Sequence, residues 1–237
     1  MRSNAYTLIF TSITTVILGF LLSFVYTSLK ETQDINVEID IMKNILYSLE
    51  FNEKDGEWSS EDVKSLFDAS IKQQVVNNDG QILLDLVPSD ISDEKKDDQF
   101  PLYVKVVNNS VDGYAIPISG KGLWSTLYGY IALESDGLTV KGIRFYKHKE
   151  TPGLGGEVEK DWFTNNFIGK KIRDSKGQLV SIQSVKGQVD MSSSEAYHQV
   201  DGISGATMTT KGLNEFLMKD LKKYDSFFQK VSMESNS

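Results

Sequence analysis

From Thr7 to Leu29 the chain runs for 23 positions without a charged side chain. Wound as an α-helix at about 1.5 Å per residue, such a run matches a hydrocarbon core of roughly 30 Å. It therefore reads as one membrane-spanning helix in contact with membrane lipid. The alternative is a cleaved signal peptide, but the apolar run is long for one and no Ala-x-Ala cleavage site follows it. Arg2 and the amino terminus stand on one flank, Lys30 with Glu31 and Asp34 on the other. The positive-inside tendency then places residues 1–6 in the cytoplasm and everything after Leu29 outside.

Charge is unevenly spread beyond this segment. Residues 31–100 hold 18 Asp and Glu against 6 Lys and Arg, whereas residues 101–237 hold 15 against 17. No basic stripe exists to replace phosphate counterions, which argues against a nucleic-acid partner. The nearly neutral downstream part can accept an anionic cofactor with less repulsion. The absence of cysteine removes iron–sulfur clusters, thioether haem, cysteinyl flavin and disulfides together. His148 and His198 are too few for a metal site, so no metal is expected. No Ser-His-Asp order and no phosphate-loop motif is present, and no catalytic residue is assigned.

Hydrophobic spacing lays out the elements. Val37, Ile41, Ile45 and Leu49 mark a helical face that continues the membrane helix outward, and Val63, Phe67, Ile71 and Val75 mark a second helix over 60–76, capped by Ser59 or Ser60 and ended by Asn77-Asn78-Asp79-Gly80. A short strand is expected over 81–87, then an acidic loop over 89–99. Strands follow over 102–107 and 114–118, joined through Asn108-Asn109-Ser110, and over 127–135 and 138–147, joined by the hairpin signal Asp136-Gly137. A last β-rich stretch covers 180–185. Leu213, Phe216, Leu217, Leu221 and Tyr224 share one face of a final helix, with Thr209 or Thr210 as N-cap. Antiparallel hairpins with segregated helices make an α+β fold. The expected division is a tail over 1–6, a membrane helix over 7–29, an acidic helical or linker region over 30–100, and a soluble domain over 101–237 with a largely antiparallel sheet flanked by helices.

Just before the final helix lies Asp201-Gly202-Ile203-Ser204-Gly205-Ala206-Thr207-Met208-Thr209. Small and hydroxyl-bearing residues at a helix N-terminus suit a phosphate, because unpaired N–H groups and the positive helix pole meet there. Upstream, Gly153, Gly155 and Gly156 permit unusual backbone conformations and Pro152 stiffens the entrance, so this loop can shape a wall around a planar ring. Glu150 either fixes the loop by accepting backbone hydrogen bonds or is simply solvated. Residue chemistry alone does not separate Thr207 from Thr209 as an attachment point.

The stretch 201–207 resembles the Asp-x-x-Ser/Thr-Gly-Ala-Thr signature at which a flavin transferase joins FMN to threonine through a phosphoester. Glu150-Thr151-Pro152-Gly153-Leu154-Gly155 resembles the second fixed element of FMN-binding domains in the C-subunit family of sodium-translocating NADH:quinone reductase, and Gly120-Lys121-Gly122-Leu123-Trp124 resembles its Gly-x-Gly-Leu-Trp element. The resemblance, from about residue 120 to the C-terminus, implies covalent FMN on Thr207. It implies cofactor contacts from Ser204, Gly205, Ala206, Glu150, Thr151, Gly153, Leu154, Gly155, Trp124 and Lys121, with Lys211 a further phosphate neighbour. It further implies electron relay without catalysis by the chain alone, a place among other subunits of a bacterial inner-membrane complex that moves sodium and reduces quinone, and maturation by a flavin transferase. Two rivals stand beside it: the G-subunit of the related ion-translocating electron-transport complex, and an anchored binding or scaffold protein without redox activity.

Overall fold

The structure, a computed structural model, describes residues 3–53 and 56–234. Two compact units are present, residues Met1–Ile41 and Met42–Ser237. The first element, α1 (Asn4–Ser48), is one helix that takes in both helical stretches read from the sequence. Its apolar window has a mean hydropathy of 2.3, and it is long and apolar enough to cross a membrane.

The second unit is built on a meander in which every strand pairs with its sequence neighbour: β1 (Ile71–Asn77), β2 (Gln99–Val107), β3 (Ser110–Lys121), β4 (Thr126–Glu134) and β5 (Val140–Lys147). All four pairings are antiparallel. Alternation sends Leu102, Ile116, Ile118, Ile131 and Ile143 to one face, where they form the main core with helices α4 (Thr207–Lys223) and α5 (Asp225–Glu234). Leu213, Phe216, Leu217, Leu221 and Tyr224 are all buried there, as their spacing predicts. The other face carries Tyr103, Ala115, Tyr130 and Ala132, also buried. It is covered by α2 (Ser60–Ser70), whose Phe67 ring meets Tyr103 at 6.3 Å, and by the end of α1, whose Ser48 carbonyl lies where a Cβ on Gly142 would sit. A sheet covered on both sides needs apolar residues on both faces, which this alternation supplies.

Four local expectations change within and beside the sheet. The second helix stops at Ser70 and β1 begins at Ile71, because the four-residue spacing of Phe67, Ile71 and Val75 satisfies a strand's period of two as well as a helical turn. Asn77-Asn78-Asp79-Gly80 is consequently a β-turn, closed by the Gly80 N–H on the Asn77 carbonyl at 2.9 Å, and not a helix end. The stretch 81–87 contributes only a bridge between Ile82 and Val76. Asp136-Gly137 does not make a two-residue hairpin. The Asp136 carboxylate accepts the Leu138 and Thr139 N–H groups and widens the loop, which closes from Glu134 to Thr139. The tight turn is instead Asn108-Asn109, with φ of 50° and 62°, the type I′ pattern.

Between β5 and α4 the chain forms a short helix, α3 (Asp161–Thr164), and a parallel pair, β6 (Gln183–Ser184) with β7 (Gln199–Val200). The β-rich stretch 180–185 thus yields only two paired residues. The final helix begins at Thr207, two residues before its expected caps, and its N-cap position is Ala206.

Candidate functional site

Three segments meet at the start of α4: the turn 122–125 between β3 and β4, the loop 150–156 after β5, and the first helical turn. Glu150 joins them. Its Oε1 accepts the N–H groups of Trp124 at 2.8 Å and Ser125 at 3.0 Å, and its Oε2 accepts the Leu123 N–H at 3.2 Å and the Thr209 hydroxyl at 2.8 Å. Of the two roles open to Glu150, hydrogen bonding is the one observed, and the backbone it holds belongs to the neighbouring turn. The carboxylate is buried, which pushes its pKa up. Trp124, Thr209, Ser125 and Leu123 together outweigh that burial and hold the pKa below the ordinary carboxylate value.

This approach requires glycine at 155. A Cβ there would lie 2.5 Å from Thr209 Oγ1 and 2.7 Å from Glu150 Oε2. Gly155 therefore serves closeness. Among the loop glycines 153, 155 and 156 only Gly153 has a positive φ, of 76°. On α4 itself, a Cβ on Gly212 would strike the Lys121 carbonyl oxygen at 2.0 Å, so the helix seats directly on the end of β3.

The two candidate threonines differ sharply. Thr209 is 1 % exposed and its hydroxyl is spent on Glu150. Thr207 is exposed and borders a cavity of about 830 Å³, together with Trp162, Lys186, Ser204, Gly205 and Lys211. As the first residue of α4 it stands where backbone N–H groups lack carbonyl partners one turn back and the helix pole is positive. The floor of the cavity is pinned to α4: the Ser184 N–H donates to Asn214 Oδ1 at 2.8 Å, and Asn214 Nδ2 donates to the Ser184 carbonyl at 3.0 Å. The Asp201 carboxylate shapes the approach by accepting the Val189 N–H at 2.8 Å.

The other expected residues are divided. Ser204 and Gly205 border the cavity, and Gly205, with φ of 73°, leaves its Cβ position to Leu154 Cδ2. Ala206 is buried in the core. Thr151 offers its carbonyl to the Leu154 and Gly156 N–H groups, a turn-forming role. Trp124 projects from its clamped turn and is 71 % exposed. The Lys121 side chain is exposed and does not border the cavity, whereas Lys211 does. Sequence reasoning missed Asn214 and Ser184, whose pairing depends on a chain reversal that no local pattern signals. It also missed Glu157, which accepts the Gly153 N–H at 3.2 Å and the Trp162 indole N–H at 3.0 Å.

Comparison with known proteins places this geometry. Residues 122–222 match the FMN-binding domain family. The C-subunit of the Na(+)-translocating NADH-quinone reductase of Pseudomonas aeruginosa is 37 % identical over 225 residues, covering 84 % of this chain and 85 % of that protein. The crystal structure of the same subunit from Parabacteroides distasonis is similar with a TM-score of 0.73 and 34 % identity, over 84 % of this chain and 96 % of that one. Shewanella oneidensis NqrC gives 0.65 and 28 %, over 82 % and 97 %.

Proposed function

Because this chain belongs to the C-subunit family of Na(+)-translocating NADH-quinone reductase, we propose that it carries FMN on Thr207 and relays electrons through it as one subunit of such a complex. The phosphate is joined to Thr207 Oγ1. In forming the ester the Thr207 hydroxyl would give up its hydrogen and the phosphate an OH group, a net loss of one water, in a reaction assigned to a flavin transferase. When bound, FMN supplies the electron transfer; this chain supplies the tether, the walls and the exclusion of other acceptors.

The observation that carries the reading is the contrast within one helical turn: Thr207 open at the cavity, Thr209 buried and committed to Glu150. The cavity, at about 830 Å³, falls within the range of roughly 300–1,000 Å³ common for cofactor sites. The N-terminus of α4 and Lys211 favour a phosphate at this point. Ser204, Gly205 and Ala206 shape the backbone around the ester. Glu150, Thr151, Gly153 and Gly155 hold the adjacent loop, while Leu154 and Trp124 give the flavin apolar cover and Lys121 adds positive charge nearby. In the wider assembly we place α1 across the bacterial inner membrane, its N-terminus in the cytoplasm and the sheet domain outside. Arg2 and the uncharged run from Thr7 to Leu29 support that arrangement.

Intact mass and peptide fragmentation of the full chain, purified from cells that contain the transferase, test the attachment. The expected result is a gain of FMN less one water on the peptide bearing Thr207, lost in Thr207→Ala and kept in Thr209→Ala. An unmodified mass would return the chain to a non-redox scaffold, and a label persisting in Thr207→Ala would move the acceptor. Protease added to intact spheroplasts tests the orientation: a sheet domain left uncut there, but digested after lysis, would reverse it.

A further inference from the structure

His148 is the first residue after β5, and both nitrogens of its ring are engaged. Nδ1 accepts the backbone N–H of Glu150 at 3.2 Å, and Nε2 lies 3.1 Å from Glu159 Oε2. The side chain is 11 % exposed, so water is largely kept from both contacts. Glu159 ends the short 3-10 turn Gly155–Glu159, and one imidazole therefore closes the base of the loop that carries Glu150, Gly153 and Gly155. Beside it the backbone is stitched to the turn before β4. The Lys149 N–H donates to Ser125 Oγ at 2.7 Å, and the Ser125 N–H donates to Glu150 Oε1 at 3.0 Å.

These partners admit one protonation state. A backbone N–H only donates, so the Nδ1 that faces it is bare; an ionised carboxylate only accepts, so Nε2 carries the hydrogen. Lys160, bonded to Glu159 Oε1 at 2.9 Å, lowers the Glu159 pKa; partial burial opposes it, His148 adds to the lowering, and the carboxylate stays ionised. The ring is thus the neutral Nε2–H tautomer. A second proton, taken from solvent, goes to Nδ1 and sets two donors against each other, while the new positive charge strengthens the pull of Glu159. Neighbouring charges do not offset this. Lys149 is exposed, the Lys147 ammonium lies 5.5 Å from the Tyr128 ring centroid, and the Glu150 carboxylate is committed to the turn 122–125 and to Thr209.

We propose that His148 is the positioning residue for the Glu150 loop, holding it as a neutral Nε2–H imidazole and releasing the Glu150 N–H when the ring becomes an imidazolium. The segment at the start of α4 then responds to protons through a group distinct from the Glu150 carboxylate. It does so whether or not Thr207 carries flavin.

Nitrogen-15 histidine spectra of the full-length chain in detergent, with the His148 signals assigned by their loss in His148→Asn, read the tautomer and follow its titration. Amide exchange of the peptide bearing Glu150, divided at each pH by that of the unfolded chain, reads the loop. In the parent, protection should fall about tenfold in step with the His148 titration, the equivalent of one hydrogen bond. His148→Asn should keep the neutral-pH protection across that range, because an asparagine oxygen accepts the N–H two residues on and does not titrate. His148→Phe should lack this protection throughout. A hydrogen on Nδ1 at neutral pH, protection unmoved while the parent ring titrates, or an equal acid loss in His148→Asn each overturns the proposal. Full protection in a folded His148→Phe chain does so too.

Discussion

The Thr209 hydroxyl donates to Glu150 Oε2 at 2.8 Å, linking residues 59 positions apart at a buried point. That bond fixes the register of α4 against the loop 150–156 and withdraws one of two neighbouring threonines from solvent. Glu150 also holds three successive N–H groups of the turn before β4, so one carboxylate sets the relative positions of three segments.

Removing it should be costly. Glu150→Ala leaves three backbone N–H groups and a hydroxyl without their acceptor in a buried place, a loss of roughly 3 kcal/mol. Urea unfolding of the full chain in detergent should show the midpoint fall accordingly. A change below about 0.5 kcal/mol, the ordinary range of surface substitutions, would mean that the clamp contributes nothing.

The same carboxylate makes stability depend on pH. Burial raises its pKa, its four donors outweigh that burial, and the folded value lies below the ordinary 4.5. The folded chain therefore binds this proton less readily than the unfolded one. The contribution is whole above pH 4.5 and is lost as pH falls through the lower folded value. Thermal unfolding followed downward from about pH 6 should show a steeper acid decline for the parent than for Glu150→Gln.

Steric closeness gives a third expectation. Gly155→Ala drives a Cβ against Thr209 Oγ1 and Glu150 Oε2, and Gly212→Ala drives one against the Lys121 carbonyl at 2.0 Å. Each should destabilise by about 1–3 kcal/mol. Because Lys121 offers backbone and Thr209 a side chain, Gly212→Ala should be the worse of the two in a melting comparison, and the reverse order would contradict the packing.

Thr207 and Thr209 should separate labelling from stability. Thr207→Val changes an exposed hydroxyl, so stability should move by less than about 0.5 kcal/mol while flavin is lost. Thr209→Val removes a buried donor to Glu150 and should cost about 1–2 kcal/mol with flavin retained. In-gel flavin fluorescence beside a thermal melt reads both.

The N-terminus of α2 offers a test away from the site. Ser59 and Asp62 form a reciprocal capping box, Ser59 Oγ accepting the Asp62 N–H at 3.2 Å and Asp62 Oδ2 accepting the Ser59 N–H at 3.0 Å. Ser59→Ala should cost about 1 kcal/mol, measured by urea unfolding, and an unchanged midpoint would show that the cap is idle.

Much of this is legible in the chain. The apolar run to Leu29, the alternation of β2 to β5 and the helical stripe from Leu213 to Tyr224 each carry a periodicity that one element alone satisfies. Ile71 and Val75 mislead because their spacing satisfies two elements, and pairing with β2 decides between them. Asp136-Gly137 misleads because a side chain captures the turn. The start of α4 is misplaced because hydroxyls beside a helix read as caps, whereas Thr209 turns inward to a carboxylate that local sequence cannot bring near. The site's signatures are recognisable as short motifs. The bonds of Glu150, Glu157 and Asn214 are not, since each joins segments that only the folded sheet brings together.

A meander lets every strand find its partner in the stretch that the ribosome has just released, with no long loop to close first. The helix that bears Thr207 follows all five strands in the chain and lies on β3, in their middle. The strands that seat this helix therefore all precede it in the chain, and the seat leaves Thr207 exposed at the rim of its cavity.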